Sequence, residues 1–323
     1  MSAVVEMFVE LGARLRGFGG DDTSREVMER AMAQNAWFTE RDILRAVDAI
    51  GLEMLDREKL SAWLARYTPT LAPQRVAIIM AGNIPLVGFF DLLCVLCSGH
   101  KAYVKPSSKD RVMMEYVVDL LRDINPNVEI YTYDKDTKYD MAIATGGDEA
   151  NAYFRTHFEG TRHLLRGSRH SVAVLDGEES VEELQGLVED ITSYSGLGCR
   201  SVSMLFLPEG YELRLAKSEA QNPKLRNNVA QRRALYTLQR RAYSDFGAFI
   251  AVEGVAFPNS LAEVTVCRYS DVEEVRGWIR EHREELQCVV SHLDIEGCVP
   301  FGRAQYPQLS DYADGVDTMQ FLA

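Results

Sequence analysis

The chain has 323 residues, 48 acidic against 35 basic, for a formal net charge of −13 at pH 7. That length predicts about two domains, and 46% hydrophobic with 26% charged residues is ordinary for a globular protein with ample core material. The acidic balance excludes general nucleic-acid binding and docking on anionic lipid, because a field of that sign repels phosphates; a local basic pocket for a phosphorylated ligand stays open.

The first residues, MSAVVEMFVELGARLRGF, carry no basic n-region, long apolar core or small-residue cleavage site. No signal peptide is read, and a cytoplasmic location is expected. Residues 1–67 read as helices, with Val4, Val5, Phe8, Val9, Leu11 and Leu15 at helical spacing. Thr23 with Glu26 reads as a capping box, and Thr39 as the cap of the next helix, with Ile43, Ala46, Val47 and Ile50 inward. Leu60, Trp63, Leu64 and Tyr67 extend the pattern until Pro69 and Pro73 break it. This stretch reads as scaffold.

From Gln74 strands and helices alternate. Strands are predicted at 75–80, 101–105, 128–133, 139–144, 163–166 and 172–175, with helices at 87–97, 110–121 (Asp110 as N-cap) and 149–158. The apolar run 76–97 is long enough to span a membrane, but Gly82, Asn83, Pro85 and Asp91 interrupt it; a buried strand, a tight turn and a buried helix explain it. A helix at 181–194 leads into SGLGCRSVS (195–203), then a strand at 204–207 and a polar helix at 222–243. Strands at 248–252, 264–269 and 287–291 and a helix at 272–286 precede a turn-rich, aromatic end. The order predicts parallel sheets with helices on both faces, which bind nucleotides at the carboxyl ends of their strands. No GxGxxG, P-loop or GxSxG is present.

Six cysteines are present. Without an export signal a disulfide framework is not expected. Cys94 and Cys97 form a CxxC within an apolar helical pattern and read as buried core thiols. Cys199 differs, because Gly196 and Gly198 leave room for a carbonyl to approach, and Arg200 is a cation able to favour a thiolate. A thiolate is a nucleophile toward thioester or aldehyde carbon; a structural cysteine at a tight turn is the alternative. Asn83, at a strand end, could donate to an oxyanion or satisfy its own turn. Lys105, with Pro106 and Ser107, ends another strand and could meet ribose or phosphate oxygens. Thr145-Gly146-Gly147 before a helix could offer backbone amides to a pyrophosphate. His157 and His163, like the other histidines, have no ligand spacing around them, so no metal is expected.

The ordered series GNIP, VKPS, ATGG, GLGC resembles the aldehyde dehydrogenase superfamily. The segments MAGNIPLVGFFDLL, RGSRHSVAVLDGEE, GLGCRSVSMLFLPEGY, QCVVS and PFGRAQYPQLSDYADGVDTMQFL are similar to its acyl-CoA reductase branch, the LuxC-type enzymes, over roughly residues 36–323. The resemblance implies an aldehyde-dehydrogenase-like α/β fold with two parallel-type domains and an N-terminal helical segment. Residues 1–170 would be the helices with the nucleotide-binding domain, 171–305 the catalytic domain, and 306–323 a tail packing back on the body.

It further implies NAD(P)H-dependent reduction of an acyl-CoA to an aldehyde. Cys199 would be the nucleophile, and Asn83 with the Cys199 amide the oxyanion hole. Lys105, Pro106 and Ser107 would lie at the adenine ribose, and Thr145, Gly146 and Gly147 at the pyrophosphate of NADPH or NADH. CoA would be product or co-substrate, and Arg166, Arg169 and Arg200 would join Lys105 as cations for these anions. The deacylating glutamate of hydrolytic relatives falls near Leu165, so no base for water stands there. The glutamate that grips the nicotinamide ribose has no match near Phe257-Pro-Asn-Ser. A CoA-acylating enzyme running in the oxidative direction and a non-catalytic CoA- or partner-binding member are the alternatives. The family leans to homo-oligomers, and membership of a multienzyme complex is compatible with it.

Overall fold

Four helices open the chain: α1 (Ser2–Leu15), α2 (Asp22–Gln34), α3 (Glu40–Glu53) and α4 (Arg57–Leu64). The structure, a computed structural model, describes residues 2–323. The helices' apolar stripes bury Phe8, Leu11, Ile43 and Leu60 completely. At roughly 1.5–3 kcal/mol per buried side chain, such packing rather than helix propensity holds them in place. Thr39 caps α3 as expected, accepting from the Asp42 amide. The capping box expected at Thr23 does not form. Asp21 is the cap instead, accepting from the Ser24 amide at 2.9 Å and the Ser24 hydroxyl at 2.7 Å; a carboxylate with two donors outcompetes one threonine hydroxyl.

The chain divides into two compact units, one made of residues up to Ser168 plus Pro307–Ala323 and the other of Arg169–Tyr306. In the first, β1 (Arg75–Ile79), α5 (Phe89–Cys97), β2 (Lys101–Lys105), α6 (Arg111–Ile124), β3 (Ile130–Thr132), β4 (Met141–Thr145), α7 (Asp148–His157) and β5 (Arg162–Arg166) follow the helices. The strands form one parallel sheet in the order β3-β2-β1-β4-β5. Helices α1 to α6 pack in one apolar core on one face, while Phe154 and Phe158 of the α7 region pack with Ala77, Ile79, Ala142 and Ala144. Strand order reverses between β1 and β4, the topological switch point where such sheets receive ligands.

The second unit contains β6 (His170–Val174), α8 (Val181–Thr192), β7 (Val202–Pro208), α9 (Pro223–Gln239), β8 (Ser244–Asp245), β9 (Ile250–Glu253), β10 (Glu263–Tyr269), α10 (Val272–Glu281) and β11 (Leu286–Val290). Its sheet runs β11-β6-β7-β10-β9-β8, parallel except for the β8–β9 pair. α9 ends four residues short of expectation because Arg240 turns left-handed, with φ 53°. The strand expected at 128–133 shortens to the three residues of β3.

Residues 307–323 return to the first unit and end in α11 (Thr318–Leu322). Met319 and Leu322 enter the core of that unit, and His100 Nε2 lies 2.7 Å from the Leu322 carbonyl oxygen. Among the described residues no helix is long and apolar enough to cross a membrane.

Candidate active site

Cys199 sits just after a backbone distortion. Behind α8, three successive residues take left-handed conformations: Tyr194 (φ 53°), Ser195 (φ 57°) and Gly196 (φ 73°). For the two non-glycine residues this costs roughly 1–2 kcal/mol each. Packing holds them, since Ser193, Tyr194 and Ser195 are all buried. The chain then turns again, with Ser201 N bonded to the Gly198 carbonyl at 3.0 Å. Ser171, fully buried on β6, donates its hydroxyl to the Cys199 carbonyl at 2.8 Å. The result is an exposed Cys199 on a backbone fixed from below. Strain of this kind persists where surrounding structure over-determines it, commonly at functional sites.

A cavity of about 300 Å³ adjoins this turn, and its lining includes Ser195 and Gly196 before the cysteine and Ser201 and Ser203 after it. His170 and Asn259 also line it. His170 stacks on Phe257 with ring centroids 4.0 Å apart. Partial burial pushes its pKa below the ordinary imidazole value, the Glu285 charge opposing. Its place in this lining was not legible in sequence, because Phe257 and the residues around Asn259 lie some ninety positions downstream.

In the first unit the expected cofactor residues end strands beside the switch point. Lys105 closes β2, is exposed, and holds its Nζ 5.6 Å from the Tyr133 ring centroid. Ser107 packs against Gly82, where a Cβ would lie only 2.6 Å from the serine side chain; Gly82 therefore must be glycine. Asn83 is exposed in the same turn. Thr145 ends β4, and Gly147 caps α7 with no side-chain cap hydrogen bond and open space at its α-carbon. Uncapped first-turn amides and open space fit a phosphate. Asp148 and Glu149 in that turn oppose an anion, so a cation such as Lys105 is needed. Gly146 serves packing, since a Cβ there would meet Ala150 at 2.8 Å. These residues are chemically compatible with a dinucleotide, which Lys105, Ser107, Thr145 and Gly147 would hold.

Three expected ligand cations are used elsewhere. Arg166 is 5% exposed, pairs with Asp91 and donates to Thr318 Oγ1 at 2.7 Å. It is a core ion pair of the first unit, with Asp91 and Thr318 taking its two terminal nitrogens, while among the described residues its buried Nε has no partner. Arg200 donates through Nε to the Ala304 carbonyl and approaches Cys288 Sγ at 3.6 Å through Nη2. It pins segment 300–305 and points its charge to Cys288. Arg169 also serves backbone, donating to the Arg283 and Leu286 carbonyls.

One cluster escaped the sequence reading. His292 bonds Asp176 at 3.0 Å through Nε2 and Glu183 at 2.8 Å through Nδ1, and with Glu179 the His–Asp pair groups its ligand atoms within 4.8 Å. Its carboxylates also accept backbone amides: Asp176 from Glu178, Glu179 from Asp176, and Glu183 from Ser180. The set is an ion-paired histidine tying the loop after β6 and the first turn of α8 to the segment after β11. Cys94 and Cys97 are buried as expected, and burial pushes both thiols far up.

Comparison with known proteins agrees with this fold. An oxidoreductase from Marinobacter aquaeolei superposes with a TM-score of 0.63 at 12% identity, over 90% of this chain and 72% of that one. An acetylating aldehyde dehydrogenase from Geobacillus thermoglucosidasius gives 0.61 at 11%, over 91% and 77%. The fold is therefore aldehyde-dehydrogenase-like. Long-chain acyl-protein thioester reductases of Photobacterium leiognathi and Aliivibrio fischeri are 21% and 24% identical over 180 and 181 residues, covering 49% of this chain. Those alignments span only 38% of the length of each relative. The profile of the family described as acyl-CoA reductase (LuxC) matches residues 21–291, and this chain belongs to that family.

Proposed function

We propose that this protein reduces an acyl-CoA thioester to the aldehyde, with NADPH or NADH, through an acyl group carried on Cys199. The observation that carries the reading is the presentation of Cys199: exposed, behind three left-handed residues, with its carbonyl held by buried Ser171. Rigid placement of a nucleophile and its own amide is what attack on a carbonyl needs.

In this reading the Cys199 thiolate attacks the thioester carbon, forming a C–S bond and an oxyanion. The Cys199 amide donates to that oxyanion, and the reading gives Asn83 a donor's role toward it. The oxyanion collapses, the bond to the CoA sulfur breaks, and the departing thiolate takes a proton to leave as CoA. The reduced nicotinamide, when bound, supplies the hydride that reduces the acyl carbon. The tetrahedral oxyanion so formed on the cysteine collapses, its C–S bond breaks, and aldehyde leaves while the cysteine sulfur returns as thiolate. Leu165, on β5, offers no base to water, which favours survival of the acyl-enzyme until reduction.

The test is intact mass after incubation with acyl-CoAs of graded chain length and no cofactor. An acyl adduct is expected on the wild type and not on Cys199→Ala. A broad panel giving neither adduct nor NAD(P)H oxidation overturns the reading.

A further inference from the structure

The turn that carries Asn83 rests on a group with no assigned role. It runs from the end of β1 to the start of α5, and it is pinned on both sides of the asparagine. Upstream, buried Asn35 donates Nδ2 to the Gly82 carbonyl at 3.3 Å, and Met80 N bonds the Lys105 carbonyl at 3.0 Å. Downstream, Leu86 adopts φ 57°, a left-handed conformation that costs a branched residue roughly 1–2 kcal/mol. Its amide donates to Asp110 Oδ2 at 2.8 Å.

Asp110 stands at the N-cap of α6 yet makes no cap hydrogen bond; its carboxyl turns to the Asn83 turn instead. Its Cβ also packs under Gly82, 3.2 Å from where a Cβ there would sit. The carboxyl is 1% exposed, and among the described residues Oδ1 has no hydrogen-bond partner. A buried polar oxygen is costly to leave unpaired unless the group does something else. A simple cap would have used either oxygen on the α6 amides, as Asp21, Asp56 and Asp271 do on their helices.

We infer that Asp110 is the positioning residue of the Asn83 turn, fixing the backbone on either side of the asparagine so that its amide is held in place for the donor role proposed above. The inference rests on the proposed oxyanion role of Asn83. Burial, only partly offset by the Leu86 amide, drives the Asp110 pKa well up. Asparagine keeps an acceptor oxygen in the place that receives the Leu86 amide.

A double-mutant cycle tests it, reading the rate of Cys199 acylation by acyl-CoA without cofactor, with thermal melts to verify folding. Asn83→Ala is expected to slow acylation by about 10²-fold, the effect of losing one oxyanion donor. Asp110→Leu is expected to slow it by more than about tenfold, and Asp110→Asn to restore it to within about threefold of wild type, because the bond to Leu86 survives. In the Asn83→Ala background Asp110→Leu should add nothing, since it acts through the asparagine. Equal slowing by Asp110→Leu in both backgrounds, or none in the wild type, overturns the positioning role while leaving Asn83 intact. An unchanged acylation rate in Asn83→Ala removes the oxyanion role and the inference with it. If Asp110→Leu fails to fold, Asp110→Ser replaces it in the cycle.

Discussion

His292 holds a carboxylate on each ring nitrogen, and its titration has a definite sign. Partial burial works against the charged ring, but the bonds from Glu183 and Asp176 outweigh it, and the pKa lies above 6.5. The Ser180 amide and His292 lower Glu183; against burial, the Glu178 amide and His292 lower Asp176. The histidine's contribution is therefore full below its unfolded pKa and is lost as pH rises through the raised folded one. The carboxylates' contribution is present above their unfolded values and lost as pH falls through the depressed ones. The expected result is an unfolding midpoint that drops between about pH 6 and pH 8 in the wild type and drops less in His292→Gln. Parallel profiles for the two proteins would refute the linkage.

Thiol chemistry divides the same way. Iodoacetamide should label Cys199 in the native protein and spare Cys94 and Cys97 until unfolding, as peptide mass mapping can check. Cys199 was legible because glycines flank it, a local cue. The fate of Arg166 was not, since a charge reads the same in sequence whether solvated or buried, and its partner Asp91 lies 75 positions away.

At the level of elements, α8 carries the turn of Cys199 and is locked to segment 301–304. Asp190 on α8 accepts the Gly302 and Ala304 amides at 2.7 and 3.0 Å. Gly186 lets the two backbones touch, because a Cβ there would lie 2.8 Å from Gly302 N and 2.9 Å from the Phe301 carbonyl carbon. Neither atom can rotate away. Gly186→Ala should destabilise the protein by about 1–3 kcal/mol in chemical denaturation, as overpacking does; an unchanged midpoint would contradict this contact. Periodicity found most helices and parallel strands, because apolar spacing is a local property. It missed β8, only two residues long, and overran α9, because the left-handed stop at Arg240 is supplied by a residue with no sequence signature for it.

Over the whole molecule, the closing segment does the work of a core element. Trp63 Nε1 donates to the Tyr312 hydroxyl at 2.8 Å, and Tyr67 donates to Asp317 Oδ2 at 2.8 Å. Truncation after Tyr306 should strip these bonds and uncover the sites of Met319 and Leu322. Hydrogen exchange should then rise in α4, α5 and β5, with the strands of the second unit spared; uniform protection would argue against it. DYADGVDTMQFL was legible as a distinctive segment. Its partners were not, because Trp63 and Tyr312 are 249 residues apart and no local pattern encodes such a pairing.

The discontinuity of the first unit also bears on how the protein is made. A chain emerging from the ribosome presents β1 to β5 long before residues 307–323 exist outside the tunnel, while Arg169–Tyr306 is one uninterrupted stretch. The inserted unit can therefore complete its own sheet during synthesis. The first must wait, with the Asp91–Arg166 pair lacking Thr318 and the apolar sites of Met319 and Leu322 unfilled. Until the closing segment arrives, those apolar sites stay uncovered, and transiently exposed apolar surface of that kind is what makes a folding intermediate prone to aggregate.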